Sequence, residues 1–125
     1  MLMARKDVKP AERSVTWGLS ADGKVQRSVG SANNLQTVEI AEGIKFDSVI
    51  AVGSEVWAGG EHGALYHSLD GGVTWTQVTI ASGDKTLNDQ ISAIEFTAPQ
   101  HVIVVTASGS QWVSDDDGQH WKLQP

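Results

Sequence analysis

Short runs of apolar and β-branched residues, each closed by Gly, Asn, Asp or Ser, succeed one another along almost the whole chain. Phe46 to Val52 is a continuous apolar run suited to a strand covered on both faces, and Val56 to Gly59 follows it across Gly53-Ser54. Ala64 to Ser68 follows His62-Gly63, and Trp75 to Ile80 completes the group. The same rhythm recurs as Ile91 to Phe96, Val102 to Ala107, Gln111 to Ser114 and Trp121 to Leu123. Upstream, Val15 to Leu19, Lys24 to Ser28 and Leu35 to Ile40 form a shorter version. No stretch keeps a helical period over ten residues, so the pattern predicts strands only. The place of an innermost strand in the first group falls on Lys6 to Ala11, where Pro10 and charges make a poor strand.

These groups are copies of one unit. Sliding the chain by about forty residues lays Trp17 on Trp57, Gly23 on Gly63, Ser28 on Ser68 and Val38 on Val78. A larger shift lays Val102 on Val56, Gly109 on Gly63 and Ser114 on Ser68. The added length falls at Ala81 to Gln90, which reads as a lengthened surface connection. A period near forty built of short strands suits propeller blades rather than helical solenoids. The expected fold is therefore all-β: three consecutive propeller-like blades of three or four antiparallel strands. They form either an incomplete ring or a compact three-sheet body. Residues 1–13 are expected to be an arm, largely disordered or part of a first strand. Residues 14–125 are expected to be the repeat domain, in units of about 14–45, 46–88 and 89–125.

Within the second and third units one spelling recurs, Ser-x-Asp-x-Gly-x-x-Trp: Ser68, Asp70, Gly72 and Trp75, then Ser114, Asp116, Gly118 and Trp121. In the first unit it has decayed, with Gly30, Ala32 and Leu35 in place of the Asp, Gly and Trp. Each component has a structural use. Glycine takes positive φ at low cost, aspartate folds back on the N–H groups of its own loop, and the indole offers a large apolar face between sheets.

The two intact copies resemble Asp-box, or BNR, repeats. Those repeats occur in sialidases, in sortilin-type receptors and in the photosystem II assembly-factor family of propellers. The run Trp57 to Trp75 is most similar to the last group, and Asp70, Gly71, Gly72, Thr74 and Trp75 match its box residue by residue. In the third copy Asp117 stands for the middle glycine and His120 for the threonine. The resemblance implies a non-enzymatic protein-binding or scaffold module, outside the cytoplasm and part of a larger protein. The alternative is a glycan-binding or sialidase-like propeller fragment.

Composition narrows the choice. With 125 residues the chain holds three repeats, whereas a propeller takes at least four blades. The expected partners are therefore neighbouring blades of a parent chain, a protein ligand, or further copies that complete a ring. A net charge of −6 argues against nucleic acid. No apolar run is long enough for a membrane helix, and Met1 to Ala11 lacks the apolar region of a signal peptide. Sialidase chemistry uses three arginines, a tyrosine nucleophile and an acidic partner. The chain has only Arg5, Arg13 and Arg27, the first two in the arm, and a single tyrosine, Tyr66, in the strand leading to a box. No Gly-x-Ser-x-Gly elbow is present.

The run Asp115-Asp116-Asp117 reads as a solvated acidic turn, and His62, His67, His101 and His120 as separate side chains without metal-ligand spacing. No catalytic residue, metal site or cofactor is expected. Of the five tryptophans, Trp112 departs from the repeat, standing where the second unit has Tyr66. Trp112 and Tyr66 are the candidate binding residues, although packing in the core is the stronger expectation for Trp112.

Overall fold

The computed structural model describes residues 15–29 and 35–124. It contains three antiparallel meanders and one small hairpin. The first sheet runs β1 (Val15–Leu19), β2 (Val25–Val29) and β3 (Leu35–Thr37). The second runs β4 (Phe46–Val52), β5 (Glu55–Gly60), β6 (Leu65–Ser68) and β7 (Thr76–Val78). The hairpin pairs β8 (Ala81–Ser82) with β9 (Lys85–Thr86), and the third sheet runs β10 (Ile91–Ala98), β11 (His101–Thr106), β12 (Gln111–Ser114) and β13 (Lys122–Gln124). Within each sheet every strand pairs with its neighbour in sequence, because the turns between them are too short for any other route. These are propeller blades, three in succession. Lys6 to Ala11, the place of the poor innermost strand of the first unit, lies outside the described residues, as does most of the decayed first box.

The blades pack face to face. β1 lies against β4, and β10 lies against both β4 and β5. Two apolar clusters fill the seams. The smaller joins the first and second blades around Val25, Phe46 and Ala58, with Trp17 and Trp75 packed against them. The larger joins the second and third around Trp57, Leu65, Ile91, Val104 and Trp121.

Strand patterning explains the second seam. Along β11, Val102, Val104 and Thr106 are buried while the residues between them are partly exposed, the period of two that a pleated strand imposes. On β10 a bulge between Ile91 and Ala93 shifts the register, so Ile91 and Ile94 are both buried although they stand three apart. Opposite them β5 carries Gly59, and a Cβ there would come within 2.6 Å of Ile91 Cγ2. The glycine-rich strand is thus a requirement of close sheet packing.

Ala81 to Gln90 corrects the sequence reading. It is an anchored hairpin rather than a simple surface connection. Ser82 and Lys85 pair across a Gly83-Asp84 turn. The segment then turns inward: the Leu87 N–H bonds to Ile80 O at 2.8 Å, and both side chains enter the larger core. Two apolar residues flanking a polar tip are enough to fold the insertion back onto the seam.

Leu87→Ala is expected to lower the free energy of unfolding by about 2–4 kcal/mol, measured by urea denaturation. A change near zero would mean that the hairpin only decorates the surface.

Candidate functional site

The boxes form two nearly identical constellations at one end of the blades. In the second blade the buried Ser68 hydroxyl donates to Asp70 Oδ1 at 2.8 Å and accepts from the Gly72 N–H at 2.8 Å. Asp70 Oδ1 also accepts from the N–H groups of Val73, at 3.1 Å, and Thr74, at 2.9 Å. Its Oδ2 accepts from the Thr74 hydroxyl at 2.6 Å. Trp75 Nε1 donates to Gly72 O at 3.0 Å.

The third blade repeats the set to within a tenth of an ångström. Ser114 Oγ donates to Asp116 Oδ1 at 2.9 Å, the Gly118 N–H donates to Ser114 Oγ at 2.8 Å, and Trp121 Nε1 donates to Gly118 O at 3.0 Å. His120 takes the place of threonine without loss, its Nδ1 lying 2.6 Å from Asp116 Oδ2. An imidazole N–H and a hydroxyl reach the same acceptor. The outer strands begin one residue after the indoles, at Thr76 and Lys122.

The carboxylates are fixed in their charged form. Asp70 is held well below the ordinary carboxyl value of 3.8, first by the Thr74 hydroxyl, then by the Thr74 N–H and the Ser68 hydroxyl. Asp116 is lowered to about 2, first by the His120 side chain and then by the His120 N–H. Their bonding capacity is spent inside the turn.

Each box is also a socket. A Cβ on Gly72 would lie 2.4 Å from Cη2 of Trp17, in the first blade, and one on Gly118 would lie 2.7 Å from Cη2 of Trp57, in the second. Trp17 meets Trp75 edge to face, with centroids 6.1 Å apart and planes at 82°. The indole on β1 of the first blade, and its repeat counterpart on β5, therefore each seat on the box glycine of the following blade. Gly72 and Gly118, at φ 92° and 90°, serve the turn and the seam together. The repeat register contains both halves of this pair, but a single unit does not show that they meet.

Trp112 is placed in the core, 4% exposed, so it is not a free stacking surface, and this corrects the idea of an exposed indole. Its strand partner Val104 draws it inward. Tyr66 is half-buried, edge to face with Phe46 at 5.9 Å. The three consecutive aspartates diverge: Asp115 pairs with His101, Asp116 stays in the box, and the Asp117 N–H bonds to Gln100 O. Arg27, the one arginine among the described residues, donates to Gly71 O at 3.2 Å and sits 6.0 Å from the Trp17 ring centre.

At the opposite end of the strands a cleft of about 370 Å³ opens where all three blades meet, lined by Leu19, Ser20, Lys45, Glu61 and Gln90 among others. Its walls are mixed polar and apolar. The Glu61 N–H donates to Lys45 O at 3.0 Å, and Glu61 Oε1 accepts from the Lys45 N–H at 3.0 Å, so the floor is braced by one backbone bond and one bond to the Glu61 carboxylate.

Comparison with known proteins agrees with this geometry. A family model described as photosynthesis system II assembly factor YCF48 matches residues 19–124. The chloroplastic photosystem II stability/assembly factor HCF136 of Oryza sativa subsp. japonica is 30% identical over 78 residues, covering 62% of this chain and 18% of that protein. The solved structure of YCF48 bound to D1 peptide superposes with a TM-score of 0.73 at 22% identity, over 89% of this chain and 36% of that one. YCF48 from Cyanidioschyzon merolae gives a TM-score of 0.66 at 25% identity, over 86% and 32% respectively. The chain thus spans about a third of the solved relatives.

Two outcomes are expected. Gly72→Ala should destabilise by about 2–4 kcal/mol, from overpacking against Trp17 and from a side chain at positive φ. In a Trp17→Ala background the same substitution should cost clearly less, and a double-mutant cycle by urea denaturation checks the coupling. Asp70→Asn tests the charge. Because the folded-state pKa of Asp70 is depressed, its stabilisation is present above pH 3.8 and is lost as pH falls through the lower folded value. The stability gap between wild type and Asp70→Asn should therefore hold at neutral pH and close as the solution is acidified below about pH 4. A gap independent of pH would show that the carboxylate charge is not used.

Proposed function

The chain belongs to the family of the photosynthesis system II assembly factor YCF48, and on that premise we propose that it is a non-enzymatic, protein-binding scaffold module. The observation that carries this reading is the match of the family model across residues 19–124, from the end of the first described strand to the last. The related YCF48 structure solved with D1 peptide supports a peptide as the kind of partner. The boxes support it in another way: the Ser68 and Ser114 hydroxyls, the Asp70 and Asp116 carboxylates and the Trp75 and Trp121 indole N–H groups are engaged in the turns themselves.

The three-blade cleft is the surface assigned to the partner. It offers Lys45, Glu61 and Gln90 side chains beside apolar Leu19, a mixture suited to an extended peptide backbone and its side chains. Further blades complete the ring, from a longer parent chain or from additional copies, since three blades fall short of the four that a closed propeller takes. The sialidase-like alternative lacks support from the arginines: among the described residues only Arg27 is present, and it is committed to Gly71 and Trp17.

Titration of a fluorescently labelled D1 peptide, followed by anisotropy, is expected to show saturable binding. Glu61→Lys should weaken it about tenfold or more. Failure to bind up to about 1 mM, a floor for specific recognition, together with turnover of a fluorogenic sialoside, would reverse the assignment in favour of the glycosidase reading. Light scattering on the same sample gives the number of copies in the particle.

A further inference from the structure

The repeat register places three positions at each seam, and the two seams carry different chemistry. At the first they are Val15, Arg27 and Gly71; at the second, Glu55, His67 and Asp117. Of the first set, Arg27 donates to Gly71 O at 3.2 Å, and the valine and glycine bring no ionisable group. At the second, one ligand atom from each of Glu55, His67 and Asp117 lies within 4.8 Å of the other two. Glu55 opens β5, His67 lies on β6, and Asp117 reaches across from the third box.

Three independent details make this more than a group of acids. His67 Nε2 stands 2.7 Å from Glu55 Oε2, and the imidazole is stacked on Trp57 with centroids 3.7 Å apart and planes at 14°, which fixes its aim. Asp117 Oδ1 is shut off from solvent and has no hydrogen-bond partner. Asp117 also holds φ 63°, in the left-handed region, where its counterpart in the second box is Gly71 at φ 73°. Aspartate tolerates that conformation better than most residues, and the cost lies in its unsatisfied carboxylate oxygen.

We propose that the seam between the second and third blades is a divalent-cation site of the zinc class, ligated by Glu55, His67 and Asp117. One imidazole nitrogen and two carboxylate oxygens suit zinc, whereas calcium takes six to eight oxygens. A dication answers both costs at once: it offsets the facing carboxylates and serves the orphaned oxygen. Donors in a tetrahedral site with bonds of about 2.1 Å stand about 3.4 Å apart. The 2.7 Å pair opens slightly, and all three donor atoms already lie within 4.8 Å of one another. His67 and Glu55 keep 11% and 20% side-chain exposure, so a fourth position reaches water. Two ligands come from the second blade and one from the third, so the ion would staple the blades together.

The test is calorimetric titration of zinc chloride into the metal-free chain, with thermal unfolding in parallel. One equivalent should bind at micromolar Kd or tighter and raise Tm. Asp117→Gly gives the third box the residue of the second and relieves the left-handed backbone. It should match or exceed the wild-type Tm without metal, yet bind zinc at least a hundredfold more weakly and lose the gain in Tm. His67→Gln should lose binding likewise. With cobalt(II) as a spectroscopic probe, wild type should show ligand-field bands of low coordination number that Asp117→Gly lacks. The proposal is overturned if no zinc binds at one equivalent. Equal binding in all three proteins would overturn it too, by placing the metal on other histidines.

Discussion

The seating of an indole from one blade on the box glycine of the next is the contact from which the rest of this molecule follows. Trp17 on Gly72 and Trp57 on Gly118 recur at the same repeat positions, and each leaves no room for a Cβ. A glycine at that point lets the turn adopt positive φ and lets the neighbouring ring close on the backbone. The residues around it serve the same end. Ser68 and Asp70 hold the turn rigid, and Trp75 Nε1 on Gly72 O fixes the second indole so that the first can meet it edge on.

This arrangement separates the two ends of the blades. At the box end the serine, aspartate and indole groups of the two turns are consumed in local bonds, so the turns act as staples. At the other end, the cleft between the three blades keeps polar side chains around an apolar edge. A propeller that binds protein needs this division: rigid seams to hold the blades, and an open face on which loops vary. The second seam departs from it. There the repeat replaces Val15, Arg27 and Gly71 by Glu55, His67 and Asp117, adding an ionisable cluster to an apolar joint.

Much of the fold was legible in the residues. β1, β4 and β12 fall at the bounds that apolar runs and turn residues mark, and the other blade strands lie within one to three residues of theirs. The period of about forty gave the blades because one unit cannot bury its own faces, so a repeated pattern implies stacked sheets. Ala81 to Gln90 was read as a loop because its two strands are two residues each, too short to show alternation. Their formation depends on Ile80 and Leu87 finding the core. The resemblance carried by Trp57 to Trp75 likewise led to the family that the comparisons support.

Sequence alone determined what is local and periodic: the all-β class, the number of blades, the box turns and the identity of the residues in them. These are set by spacing along the chain, since a turn of four or five residues and an alternation of two act between neighbours. Tertiary structure decided what depends on which surfaces meet. It sent Trp112 inward beside Val104, put Trp17 on a glycine far along the chain, and brought Glu55, His67 and Asp117 to one point from three elements. Those juxtapositions are fixed by how sheets pack across a seam, and close packing between distant segments leaves no periodic trace in either segment by itself.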